Sequence, residues 1–170
     1  MTSSRLRGAL AALPLLALAG ACSSSNGPNG GGGGGGGGGT TLTVSNATPA
    51  NGNGALTGIN IVVDTNAAVL QGPAVLVVIT GTVGGVEHSI SLNFLKSDAS
   101  IPNLEHSWGT DLNAPDGFTL CDAGGIVGSP CAPAAGVVDV AQGTITFTGL
   151  ALTAALADGD LSTLDGVIHY

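Results

Sequence analysis

The stretch "VLVVITGTVGGVEHSISLNFL", Val75 to Leu95, leaves this chain few choices of fold. Two runs of alternating residues flank a pair of glycines. If Gly84 and Gly85 form a two-residue hairpin turn, Val83 faces Val86, Gly81 faces His88, Ile79 faces Ile90 and Val77 faces Leu92. One face then carries Val75, Val77, Ile79, Val83, Val86, Ile90, Leu92 and Phe94. The other carries Thr80, Thr82, Glu87, Ser89, Ser91 and Asn93. A period of two belongs to an antiparallel strand with one buried and one wet face, and no helix can sort these residues. The same reading predicts strands over 41–46, 56–65, 136–141, 143–152 and 161–170, separated by Asn-Gly, Asp-Gly and Pro breaks. Leu150 and Leu152 have the opposite parity to Ile145 and Phe147, so a bulge at Gly149 is expected to bring all four inward. The pattern predicts an all-β, antiparallel β-sandwich over residues 41–170, with an immunoglobulin-like arrangement within its range although no diagnostic core motif is present.

The N-terminus obeys a different logic. Residues 1–7 hold Arg5 and Arg7, residues 8–19 run apolar around Pro14, and small residues lead to Cys22 in "LAGAC". A positive start, a short apolar core and small residues at its end describe an export signal, and the apolar run is too short to span a bilayer. Ala19, Gly20 and Ala21 before Cys22 resemble the lipobox of bacterial lipoproteins, although the leucine usual at the first of these places stands one residue earlier, at Leu18. The resemblance implies a signal peptide over 1–21, a lipid (palmitate among its acyl chains) on Cys22, and a membrane anchor. With Ser23 following the cysteine, it implies the outer membrane. Ordinary cleavage after Ala17-Leu18-Ala19 or Ala19-Gly20-Ala21 would instead give a secreted or periplasmic protein. Residues 22–40, with ten consecutive glycines, read as a flexible tether spanning roughly 25 Å.

Three cysteines in an exported chain leave one over. Cys121 and Cys131 lie close in a Gly- and Pro-rich segment and are expected to pair, since an oxidising compartment preserves the bond. Cys22 is then the odd one, which lipidation explains. Behind the signal, Lys96 alone opposes eleven acidic residues, a net charge of −10. Such a surface repels phosphate backbones, so nucleic acid is excluded as a partner, and anionic headgroups are disfavoured.

The residues able to carry chemistry are sparse. His88 lands on the apolar face of the hairpin; His106 and His169 complete the imidazoles, and the three would have to converge to form an envelope enzyme or a metal site. Their spacing matches no metal motif. "DGDLSTLDG", residues 158–166, starts like a calcium loop but has Thr163 and His169 where Gly and Glu are required, which leaves at most weak calcium binding. No nucleophile elbow, zinc-protease motif or phosphate loop occurs, and no cofactor is expected. The segment 102–118, "PNLEHSWGTDLNAPDGF", has the most varied side chains outside the predicted strands. It is expected to form a loop offering Glu105, His106, Trp108 and Asp111 for binding. The alternative is a crossover whose Trp108 caps the core. The sequence therefore points to a non-enzymatic binding or structural domain of the cell envelope.

Overall fold

The computed structural model describes residues 39–69, 72–122, 130–132, 135–154 and 159–170. The expected signal, Cys22 and almost all of the tether lie outside these residues. The chain is all-β and antiparallel, as predicted. Its strands are β1 (Thr41–Thr48), β2 (Gly54–Ala55), β3 (Thr57–Asp64), β4 (Ala68–Val69), β5 (Gly72–Val83), β6 (Val86–Leu95), β7 (Asp98–Gly109), β8 (Gly117–Asp122), β9 (Gly136–Asp139), β10 (Thr144–Ala154) and β11 (Leu161–His169). A 3-10 turn, Ala50–Gly52, separates β1 from β2.

The layers belong to one nearly closed, barrel-like sheet with the order β2-β1-β11-β10-β8-β7-β6-β5-β3; β4 pairs with β5 and β9 with β10. The strands at the two ends of this order, β2 and β3, are joined in the chain by Leu56 alone. The sheet therefore comes back to its own beginning. Apart from β1 beside β11, neighbours along the path follow chain order, so the described strands form a meander without the Greek-key crossings of an immunoglobulin domain. β11 sits between β1 and β10, where both of its edges are hydrogen-bonded.

The register of β5 against β6 is the one that the alternation dictates: Val83 opposite Val86, Gly81 opposite His88, Ile79 opposite Ile90, Val77 opposite Leu92. Val77, Ile79, Ile90 and Leu92 are fully buried. The predicted bulge is also present. The β10–β11 register shifts between Phe147 and Leu150, with Gly149 at φ +58°, and Ile145, Phe147, Leu150 and Leu152 all enter the core. The Gly149 amide, freed from the ladder, donates to Asp165 Oδ1 at 2.6 Å.

The segment 102–118 departs from expectation. Most of it is strand, because β7 runs through Gly109 and β8 begins at Gly117. Two features hide β7 in the sequence. Pro102 lacks the amide that a ladder needs, and it falls where the β6–β7 register shifts between Asn93 and Leu95, a place where no such bond is required. The inward residues Leu104, His106 and Trp108 include a histidine, which disguises the apolar period. In β8 the polarity is inverted, with Thr119 inside and Phe118 facing outward.

Cys121 and Cys131 form a disulfide with Cα atoms 4.8 Å apart. Cys121 is buried, so the bridge ties the chain beyond β8 to the wall of the sheet. Replacing both cysteines by serine is expected to lower stability by roughly 2–3 kcal/mol, from the loop that the bond closes in the unfolded chain. Urea unfolding of the oxidised and variant proteins checks this.

Candidate functional site

The interior holds one polar cluster. His88, His106, Thr119 and Ser162 are all buried, the only polar residues so classed among those described. His88 comes from β6, His106 from β7, Thr119 from β8 and Ser162 from β11. The first three strands are adjacent in the sheet. Ser162 reaches the cluster from a strand beyond β10, so the contact ties the hairpin meander to the other side of the core.

The atoms form a chain. His88 Nδ1 lies 3.0 Å from His106 Nε2, and His106 Nδ1 lies 3.0 Å from Ser162 Oγ. Ser162 Oγ is 2.7 Å from Thr119 Oγ1. With both rings neutral, the protons can be ordered in two ways. Either His88 Nδ1–H donates to His106 and His106 Nδ1–H donates to Ser162, or every donor reverses. The far nitrogen, His88 Nε2, is buried without a hydrogen-bond partner. The three rings are stacked: the His88 and His106 centroids are 5.3 Å apart, and those of His106 and Trp108 are 4.8 Å apart.

Burial sets the charge state. It lowers the His88 pKa from 6.5 to about 4. Burial, and then the proximity of His88, lower that of His106 to about 3. Both are neutral at physiological pH, because an imidazolium here would exchange water for apolar neighbours and a like charge. The cluster can hold a tautomer and pass a proton along its length. Ser162 Oγ, its one hydroxyl beside an imidazole, is buried and engaged on both sides.

Trp108 closes the end of this cluster. It is fully buried, and its Nε1–H donates to the Pro49 carbonyl at 3.3 Å, beside the 3-10 turn. Gly52 and Gly117 make its space. A Cβ on Gly52 would sit 2.6 Å from the indole nitrogen, and one on Gly117 would sit 2.1 Å from Cζ2.

The four residues expected on one binding loop are separated by the strand's alternation. Glu105 faces outward and is exposed, whereas His106 and Trp108 point into the core. Only Asp111 is in a loop; its carboxylate accepts from the Asn113 amide and from Asn113 Nδ2, both at 2.9 Å, and these bonds hold its pKa below the usual carboxylate range. A single contact surface from these four is thus corrected. Of the three histidines, His88 and His106 meet. His169 is exposed on β11, with its amide donating to Thr40 Oγ1. Among the described residues no three His, Cys, Asp or Glu gather as a metal site. Of the two aspartates opening the calcium-like stretch, Asp158 lies outside the described residues and Asp160 Oδ2 accepts from the Phe118 amide at 2.8 Å. Ser162, the third oxygen of the calcium-like stretch, is instead buried in the cluster; Thr119 carries no motif, and its only signal is strand parity once the register is known. No family model, curated protein or solved structure matches the chain.

Proposed function

We propose that this is an exported lipoprotein, anchored by a lipid on Cys22 at the outer membrane, whose β domain binds or structures a component of the cell envelope without catalysis. The observation that carries the anchor is the Cys121–Cys131 bond. It takes up two of three cysteines, so the third has no partner within the chain. A free thiol in an oxidising compartment is reactive, and acylation removes it. The burial of Ser162 and both ring-stacked histidines supports a binding role, since a substrate would have to enter the core to reach them.

Fractionation of cells making the full chain tests the anchor. The protein is expected in the membrane pellet, with intact mass showing an acylated N-terminal Cys22, and the Cys22→Ser variant is expected in the soluble fraction. A mature protein starting at Gly20, or at an unacylated Cys22, would defeat the anchor. The contact between His88 and His106 favours a second reading, an envelope enzyme or metal-binding protein using that pair. Zinc or copper bound one per chain, and lost on His88→Gln, would establish it over the first.

A further inference from the structure

We infer that the outward groove between β7 and β8 is a docking site for a basic peptide segment of a partner protein, one lysine or arginine side chain seated in it. The inference rests on the binding role proposed above but not on the anchor. The groove encloses about 410 Å³ and is lined by Asn103, Glu105, Phe118, Leu120, Cys121 and Asp122. The cross-strand register places Glu105 opposite Leu120, Asn103 opposite Asp122, and Phe118 opposite Ser107. Phe118 and Leu120 thus form an apolar strip along β8, with Glu105 across from Leu120 and Asp122 two residues further along β8.

That composition suits a long cationic side chain. Its methylene stem packs on Leu120 and on the half-buried ring of Phe118, and its charged head meets the exposed carboxylate of Glu105. Leu120 is only 9% exposed although it faces outward, so it forms a floor rather than a protruding contact. Charge complementarity selects the same occupant. Beyond the signal, Lys96 is the one basic side chain against eleven acidic ones. The domain attracts a basic chain from a distance, and Lys96 is not among the residues that line the groove.

The test uses the mature chain carrying Cys22→Ser, labelled for amide NMR. It is titrated with a peptide alternating lysine and alanine, with its glutamate counterpart, and with a neutral oligosaccharide. Saturable shifts confined to β7 and β8 are expected with the basic peptide alone. Affinity is expected to fall roughly tenfold in Glu105→Gln, and to fall as salt rises from about 0.05 M to about 0.5 M. Glu87→Gln, on the same outer face but outside the groove, is expected to bind as the parent does. Both are surface changes that leave stability nearly unaltered. Equal loss in the two variants, shifts spread evenly over the surface, no binding at low salt, or shifts with the oligosaccharide alone would overturn the groove. None of these outcomes bears on whether Cys22 is acylated, and a Cys22→Ser protein that stays in the membrane would leave the groove standing.

Discussion

Between about pH 6.5 and about pH 5 the domain is expected to lose roughly 3 kcal/mol of stability, through two histidines that must remain neutral in the core. The sign follows from the direction of the shifts. Folded His88 and His106 have pKa values of about 4 and about 3, below the ordinary 6.5. Over the interval between, the unfolded chain binds protons that the folded chain refuses. Stability from this source is complete above pH 6.5 and declines as pH falls toward the folded values. Nearly two protons separate the states there, a slope of roughly 2 to 3 kcal/mol per pH unit near pH 5. Ser162 and Trp108, bonded or stacked to the His106 ring, and Thr119, bonded to Ser162, bear no charge to offset an imidazolium. The neighbouring carboxylates Glu87 and Glu105 belong to the opposite face of the strands. Urea unfolding at a series of pH values measures the slope. His88→Gln should remove about half of it, even if it lowers stability at pH 7. A flat profile between pH 6.5 and pH 5 would show that the rings are not held neutral by burial.

The second large effect lies at Trp108. Trp108→Ala is expected to cost roughly 3–5 kcal/mol, the range for deleting a buried aromatic ring. The more telling variant is Gly117→Ala. One methyl would sit 2.1 Å from Cζ2 and 2.3 Å from Cε2 of the indole, far inside contact distance. The ring is stacked on His106 and bonded to Pro49, so it cannot withdraw freely. The substitution is expected to cost roughly 2 kcal/mol or more alone. In a Trp108→Leu background, the added methyl meets open space and should be close to neutral. A coupling energy of about 2 kcal/mol between the two positions is the expected result of the cycle, read by chemical unfolding. Additive costs would mean that Gly117 serves the backbone and not the ring.

How far the sequence could be read varies from strand to strand. The β5–β6 pair was legible because apolar residues recur at every second place around two glycines. Gly149 was legible because a parity change on either side of a glycine has one economical explanation, a bulge. β7 and β8 were not. Proline stood in one of them, and both carried polar residues on their inward faces, so neither showed the apolar alternation by which strands are recognised. The same property concealed the candidate site. His106 looked like a surface residue beside Glu105, when it was the core-facing member of that pair.

By itself the sequence determined the all-β antiparallel class, the pairing of Cys121 with Cys131, and the acidity of the domain. Each of these depends on residues near one another in the chain or on composition. The tertiary structure alone decided that β2 and β3 bring the sheet back to its beginning, and that Ser162 on β11 meets His106 on β7. It also decided that Phe118, Leu120 and Glu105 share an outer groove. Local alternation says which face of a strand is buried, but not which strands lie beside it. That choice is made by the whole set of strands as they close on one core, where a hydroxyl 56 residues away can satisfy a buried imidazole.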